Sequence, residues 1–169
     1  MILGLDCSHS KQGKTRELLT RATPDTILEL TAENTAEAIE AIKQADGLLI
    51  ATPVHWFNVP WVLKKLIDAM DTEPGVWPFE DTPLGVLTVC NEDGGEMAGL
   101  LIIGPLLHMG FFVPPFSLIF HNSGMQGGED NWQNEEVLTI VARLREWVQY
   151  DEGEFRSSAR RGKVIGDDV

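Results

Sequence analysis

The sequence predicts an α/β protein in which helices cover both faces of a parallel sheet. Five short apolar runs alternate along the chain with five segments of helical periodicity. The runs are apolar at consecutive positions, as in Leu48 to Ala51, and this is typical of strands that are buried on both faces. Strands that are joined through helices pair in parallel, because the right-handed crossover lays each helix on a face of the sheet.

The first two strands and the first two helices follow from these patterns. Ile2 to Leu5 predicts the first strand, Lys14 to Ala22 a short helix after a polar loop, and Thr26 to Leu30 the second strand. Asn34 is followed three residues later by Glu37. This spacing resembles a capping box, in which two side chains accept hydrogen bonds from backbone N–H groups at the start of a helix.

The stretch from Gly47 to Met70 contains the third strand, a loop and the third helix. We expect Pro53 to end the strand, since proline has no N–H for the ladder. Asn58 is a preferred N-cap, and Pro60 lies in the first turn, where a missing N–H costs nothing. The predicted buried face of the helix consists of Val59, Val62, Leu63, Leu66, Ile67 and Met70, which recur at helical spacing.

The second half of the chain predicts two more strands and two more helices. Leu84 to Val89 is the fourth strand, and an unusually apolar helix follows from Gly95 to about Met109. Phe111 to Phe120 is predicted as the fifth strand, bent at Pro114–Pro115, and Asn134 to Tyr150 as the last helix. The inward stripe of that helix is predicted to be Val137, Leu138, Val141, Leu144 and Val148.

These elements place residues 1–150 in one domain, with residues 151–169 as a polar C-terminal tail. Five strands of this kind favour the sheet order 2-1-3-4-5, the flavodoxin-like order, with a cofactor site where strands one and three diverge. The tail is charge-dense and weakly patterned. We therefore expect it either to be mobile or to pack on another subunit.

Composition narrows the classes of partner. The formal charge of −13 at pH 7 argues against nucleic acid or an anionic membrane, because both would be repelled. Cys7 and Cys90 lie far apart, and we expect free buried thiols in a reducing compartment. Met1 to Asp6 leads directly into a strand and lacks the pattern of a signal peptide, so a cytoplasmic location is expected. No metal site is predicted, since the histidines are scattered at His9, His55, His108 and His121.

The loop after the first strand predicts an anion site. Its candidate binding residues are Ser8, Ser10, Lys11, Gly13, Lys14 and Thr15. Hydroxyl groups and backbone N–H groups at a helix N-terminus, together with the cationic side chains, suit a phosphate. Gly13-Lys14-Thr15 also matches the end of the P-loop pattern GxxxxGK[ST], although Ser8 stands where the first glycine belongs. A phosphotransferase and an ordinary capped turn therefore remain as alternatives.

The loop after the third strand predicts a site for a flat ring. Its candidate residues are Pro53, Val54, His55, Trp56, Phe57 and Asn58. Aromatic side chains at the carboxyl end of a strand form a wall for a ring system, and backbone N–H groups bond its polar edge. Alternatively, Trp56 and Phe57 are core or dimer-interface residues. His55 either donates to a cofactor or an acceptor, as a candidate catalytic residue, or has no role.

The loop after the fourth strand predicts a third part of the same site. Its candidate residues are Asn91, Asp93, Gly94 and Gly95. Their side chains offer donors and acceptors, and the paired glycines permit a ligand to approach the backbone closely. A simple turn is the alternative.

These residues resemble the NADPH-dependent FMN reductases, which are flavodoxin-like NAD(P)H:quinone or flavin reductases. Ala51 to Pro60, followed by Leu63 to Asp68, resembles the family's TPxYxxxxPxxLKxxID stretch, whose loop holds the isoalloxazine. The loop from Ser8 to Thr15 is similar to the family's FMN-phosphate loop. Asn91 to Gly95 occupies the place of its third flavin-contacting loop, and Gly110 to Pro114 resembles its entry to strand five. The tyrosine that is common in the family's stretch is replaced here by His55.

The resemblance covers roughly Met1 to Val148, and it implies FMN as cofactor and NAD(P)H as cosubstrate. It implies hydride transfer through FMN to a small-molecule electron acceptor such as a quinone or a flavin, with His55 as a possible aid to proton delivery. It also implies a homodimer or homotetramer in which a neighbouring subunit closes the flavin pocket. The apolar helix from Gly95 to Met109 suits such an interface, or else is buried within the monomer. A flavin-binding electron carrier or redox-responsive protein without NAD(P)H oxidation is the main alternative.

Overall fold

Five parallel strands form a single sheet in the computed structural model, which describes residues 1–70, 79–124 and 132–150. The strands are β1 (Ile2–Asp6), β2 (Thr26–Glu29), β3 (Gly47–Pro53), β4 (Leu84–Cys90) and β5 (Leu118–Asn122). Their order across the sheet is β2-β1-β3-β4-β5, and every neighbouring pair is parallel. The predicted flavodoxin-like order is confirmed. The predicted tail, 151–169, lies outside the described residues.

Helices cover both faces of this sheet. They are α1 (Lys14–Arg21), α2 (Thr35–Gln44), α3 (Trp61–Ala69), α4 (Gly95–His108) and α5 (Trp132–Tyr150). The apolar layer on one face contains the buried residues of α2, α3 and α4, and the layer on the other face contains those of α1 and α5. Both cysteines are buried free thiols, as predicted. Among the described residues, no helix has the length and apolar character needed to cross a bilayer.

The register brings the three candidate loops to one edge of the sheet. Asp6, the last residue of β1, pairs with Ala51 of β3, and Pro53 of β3 pairs with Val89 of β4. The carboxyl ends of these three neighbouring strands therefore lie side by side. The strand order reverses between β1 and β3, and a ligand crevice opens at such a switch point.

Pro53 is the last residue of β3, as predicted. Its neighbour Val54 donates its N–H to Val89 on β4 at 2.9 Å, so the nitrogen of Pro53 points to the opposite side, towards β1. The last hydrogen bond between the chain after β1 and β3 runs from the N–H of Cys7 to the carbonyl of Ala51, two residues before Pro53. The missing N–H of Pro53 therefore costs the ladder nothing.

The predicted caps of α2 and α3 are corrected. Asn34 is the N-cap residue of α2, but its side chain makes no capping bond. Its amide instead receives the N–H of Thr31 and donates to the carbonyl of Glu29, both at 2.8 Å, and so holds the β2–α2 loop. Helix α3 begins at Trp61 after Pro60, and the predicted cap Asn58 lies in the preceding turn.

The fifth strand begins later than predicted. Phe112 forms an isolated bridge with Pro83, and the chain then turns, with Ser117 donating to the carbonyl of Pro114 at 3.2 Å. Phe116 in this turn has φ 60°, a left-handed conformation that no strand continues. The apolar run therefore contains a loop before β5. On α5 the predicted inward residues Val137, Val141 and Leu144 are buried, but Leu138 is 55% exposed.

Candidate functional site

The loops after β1, β3 and β4 line two adjoining cavities, of about 340 and 360 Å³, at the carboxyl edge of the sheet. Val54, His55 and Asn91 border both. The smaller cavity, here the phosphate-side cavity, is further lined by Ser8, His9, Ser10, Gly13, Lys14, Thr15, Pro53 and Val89. The larger, here the aromatic-side cavity, is further lined by Trp56, Phe57, Cys90, Glu92 and Asp93.

Most of the predicted binding residues are thus brought together. Lys11, Asn58, Gly94 and Gly95 do not line either cavity. The cavities are also lined by His9, Val89, Cys90 and Glu92, which are not among the predicted binding residues. His9 and Glu92 lie inside the selected loops, whereas Val89 and Cys90 end an apolar strand and carry no sequence signal of their own.

The phosphate-side cavity offers hydrogen-bond donors that no described residue uses. Gly13 precedes α1 in an extended conformation, and its N–H bonds the carbonyl of Ser10 at 3.1 Å. The N–H groups of Lys14, Thr15 and Arg16 begin the helix, where no carbonyl one turn earlier can accept them. The buried Thr15 hydroxyl also bonds no described residue. Free N–H groups, a hydroxyl and a lysine at a helix N-terminus fit a phosphate.

Ser8 supports this loop from below. Its hydroxyl donates to Asp6 Oδ1 at 2.7 Å, and its N–H bonds the same oxygen at 3.0 Å. The second carboxylate oxygen of Asp6 accepts from Arg16 Nη1 at 3.0 Å. Asp6 is buried, so the ion pair and the two bonds compensate for the lost hydration of the carboxylate. The Ser8 hydroxyl therefore donates its hydrogen bond within the protein and not to a ligand.

The aromatic side chains stand on a tight two-residue turn. His55 and Asn58 exchange both backbone hydrogen bonds, at 2.9 and 3.0 Å. Trp56 and Phe57 between them have φ values of 51° and 63°, the left-handed pair that a type I′ turn requires. Such conformations cost non-glycine residues about 1–3 kcal/mol each and are found at functional sites. Trp56 is 95% exposed, so its ring is presented rather than packed.

The glycines of the third loop serve contacts between loops. Gly94 has φ 90°, and a Cβ built there would lie 2.9 Å from Cδ1 of Phe57. The carbonyl of Gly95 accepts from the Thr88 hydroxyl at 3.1 Å, and a Cβ at Gly95 would also meet that hydroxyl. Both glycines thus allow the loop to reach its neighbours, and Asn91 and Asp93 are left on the cavity wall.

Two buried titratable groups lie beside the cavities. Burial raises the pKa of the Cys90 thiol, which therefore stays protonated at neutral pH. His121 on β5 pairs in register with Val89, and both of its ring nitrogens lack a hydrogen-bond partner among the described residues. Burial, and secondly the charge of Lys14, lower the pKa of His121. Both side chains are consequently neutral. The described residues contain no cluster of three or more metal-ligating side chains.

The sheet order, the switch-point crevice and the loops around it define a flavodoxin-like protein. A model of the family described as NADPH-dependent FMN reductase matches residues 25–124, more than half of the chain. The chain belongs to this family, and it is an oxidoreductase that uses FMN as cofactor and NAD(P)H as cosubstrate. The family assignment replaces the electron-carrier and phosphotransferase alternatives. The match includes the aromatic turn and the third loop but not the loop of residues 8–15.

Solved structures share the fold at low sequence identity. RosB, whose crystal structure contains the intermediate 8-demethyl-8-formylriboflavin-5'-phosphate, aligns with TM-score 0.77 and 16% identity over 99% of this chain and 88% of its own. FerB from Paracoccus denitrificans, a flavoenzyme NAD(P)H:(acceptor) oxidoreductase, aligns with TM-score 0.64 and 14% identity over 88% of this chain and 97% of its own. The NADPH-quinone reductase from P. pentosaceus aligns with TM-score 0.59 and 15% identity over 88% and 95%. No curated protein sequence matches the chain significantly.

The two cavities fit FMN in the chemistry of their walls. The phosphate-side cavity has the donors that a phosphate needs, and the aromatic-side cavity has exposed aromatic surface next to polar side chains. The shared residues Val54, His55 and Asn91 join the two. When FMN is bound it supplies the redox chemistry, and the residues of the three loops would hold and orient it.

Proposed function

We propose that this enzyme passes the hydride of NAD(P)H, through bound FMN, to a quinone, a free flavin or a similar small acceptor. In the overall reaction NAD(P)H, one proton and a quinone give NAD(P)⁺ and the hydroquinone, so that two electrons and two protons reach the acceptor. One observation carries the proposal: a cavity with unused anion donors adjoins a cavity with an aromatic wall. The similarity to FerB, a NAD(P)H:(acceptor) oxidoreductase, and to the NADPH-quinone reductase from P. pentosaceus supports the acceptor class.

The direct test is the absorption spectrum of the purified protein, before and after FMN is added. We expect flavin bands, bleaching on anaerobic addition of NADPH, and recovery of the bands when a quinone is added. Thr15→Val removes the unused hydroxyl of the phosphate-side cavity and should weaken FMN binding about tenfold. Thr20→Val on the exposed side of the same helix is the matched control, since the Thr20 hydroxyl donates only to the carbonyl of Arg16. A colourless protein that refuses FMN would refute the proposal.

We further propose that His55 delivers a proton to the acceptor. Its side chain borders both cavities, and its backbone is held by the turn with Asn58. Positioned general acids contribute about 10²–10⁴-fold to reactions that need them. His55→Gln should therefore lower the rate of quinone reduction by FMN-loaded protein. His9→Gln, which changes a histidine of the phosphate-side cavity alone, should leave that rate unchanged once FMN is bound.

We also propose that the enzyme is a homodimer or homotetramer joined through α3 and α4. Large apolar side chains on these helices are exposed in the single chain, namely Trp61, Met97, Leu100, Leu101 and Leu107. Gly94, the N-cap residue of α4, lies against Phe57 of the turn that carries Trp56, so a neighbouring subunit on α4 would help to close the aromatic-side cavity. Leu100→Glu should dissociate the oligomer in sedimentation experiments. Leu138→Glu, on the opposite side of the sheet and also exposed, is the control.

We place the enzyme in the cytoplasm and expect neither nucleic acid nor membrane as a partner. Two buried free thiols suit a reducing compartment. The net charge of −13 disfavours polyanionic surfaces. Fractionation of cells that express a tagged protein tests the location.

A further inference from the structure

We infer that the aromatic-side cavity selects flat acceptors that are neutral or cationic and discriminates against anionic ones. The inference rests on the proposed function, because it concerns the acceptor that enters the same site. It follows from an uneven distribution of charge between the two cavities. The phosphate-side cavity is lined by Lys14 and His9, whereas the charged residues of the aromatic-side cavity are Glu92 and Asp93.

The carboxylates of the aromatic-side cavity are not neutralised by described residues. Glu92, Asp93 and the nearby Glu96 are exposed, and no described cation lies within 4 Å of their oxygens. The N-terminus of α4 contributes the equivalent of about half a positive charge, which offsets only part of three carboxylates. One further bond, from the N–H of Gly94 to Asp93 Oδ1 at 2.7 Å, orients that carboxylate.

Among the described residues, the cationic side chains near the site lie at the phosphate-side cavity and not at the aromatic-side cavity. Arg16 is paired with Asp6, and Lys14 Nζ is paired with Glu17 at 2.9 Å. Lys14 lines only the phosphate-side cavity. A phosphate bound at the helix N-terminus would add negative charge there and oppose these cations further. The net field at the aromatic wall is therefore negative, as is that of the whole chain.

The aromatic wall favours the same class of ligand. The indole of Trp56 is 95% exposed and borders the cavity that holds both carboxylates. The face of an indole ring attracts cations within about 6 Å, and carboxylates beside it add to this attraction. An aromatic acceptor with a positive charge gains both interactions. One with a sulfonate or carboxylate substituent gains the stacking but meets repulsion.

The test uses two sets of probes that differ in charge on one ring system. N-methylquinolinium, quinoline and quinoline-4-carboxylate are redox-inert, and their dissociation constants are measured with FMN-loaded protein by fluorescence quenching. For turnover, 1,4-naphthoquinone is compared with its 2-sulfonate. At low salt we expect the cation to bind about tenfold more tightly than the anion, and about tenfold higher kcat/KM for the neutral quinone than for the sulfonate. Both ratios should shrink at high salt, since salt screens exposed charges.

Matched variants separate the local charge from the net charge. Glu92→Gln combined with Asp93→Asn removes the two cavity carboxylates and should bring both ratios close to one. Glu37→Gln combined with Glu146→Gln changes the net charge equally, at exposed positions that line neither cavity, and should preserve both ratios. Equal binding of the three quinoline probes, or ratios unaltered in the cavity variant, would overturn the inference. Failure to oxidise NAD(P)H with any acceptor would instead refute the proposed function, because the redox-inert probes would still report charge selection.

Discussion

Gly94 and Phe57 meet across two loops, with a Cβ at Gly94 placed 2.9 Å from Cδ1 and 3.1 Å from Cα of Phe57. The third loop therefore sets the position of the aromatic turn, and the absence of a side chain at Gly94 makes this possible. The backbone of Gly94 is also left-handed, with φ 90°. Two loops of the site thus depend on one residue.

Gly94→Ala should destabilise the protein and disturb the aromatic turn together. The strained φ and the overlap with Phe57 predict a loss of about 1–3 kcal/mol in the free energy of unfolding, together with weaker FMN binding. Urea titration and flavin titration measure the two effects. Gly104→Ala is the control, because nothing lies within 4 Å of its Cβ. In the interior of α4 it should raise stability by about 0.5–1 kcal/mol. A neutral Gly94→Ala would show that the loops do not constrain each other.

Trp56→Gly should stabilise the fold and weaken the site. Trp56 has φ 51° and packs little surface, so glycine relieves strain, and we expect a gain of about 1 kcal/mol. The loss of the indole should lower the affinity for FMN or for flat acceptors. Trp56→Ala keeps a Cβ in the left-handed conformation and removes the ring. It should therefore share the loss of affinity without the gain in stability. Equal stabilities of the two variants would argue against strain at this position.

The sheet was largely predictable from sequence, and the loops were not. Strands β3 and β4 are buried on both faces, so their apolar runs stood out, and the helices between strands dictated parallel pairing. The run from Phe111 to Phe120 misleads the prediction because the turn before β5 has the apolar composition of a strand, although Phe116 in that turn is 72% exposed. The left-handed φ of Phe116 becomes visible only in the structure.

For the candidate site, too, the sequence predicts the general location but not the backbone geometry of the loops. Hydroxyl, glycine and aromatic residues after strands one, three and four predicted which loops meet. The role of Asn58, which closes a turn instead of capping α3, depends on a backbone pairing with His55 that no spacing encodes. The sequence does not mark His121 as a neighbour of the site, because a single histidine in an apolar run has no pattern. Its position follows from the register that pairs it with Val89.

The Asp6–Arg16 pair should be more important for the phosphate loop than for catalysis. Arg16→Met leaves a buried carboxylate without its cation, and we expect a loss of about 2–3 kcal/mol in the free energy of unfolding. Asp6→Asn combined with Arg16→Met removes the stranded charge and should recover part of that loss. A double-mutant cycle in urea gives the coupling energy of the two side chains. Additive losses would mean that the 3.0 Å pair contributes nothing.

His121 should make the folded state sensitive to acid. Burial and then Lys14 lower its pKa in the folded protein, with Glu17 and Arg21 of α1 as the other charged groups that act on it. The unfolded chain takes up a proton near pH 6.5, and the folded protein does so only at lower pH. Between these two pKa values the unfolded state binds more protons than the folded state. The contribution of His121 to stability is therefore complete above about pH 6.5 and is lost as the pH falls through the depressed folded-state pKa. His121→Gln should flatten the dependence of the unfolding free energy on pH below about pH 6.5. An identical slope in His121→Gln and in the unaltered protein would show that His121 is not the group responsible.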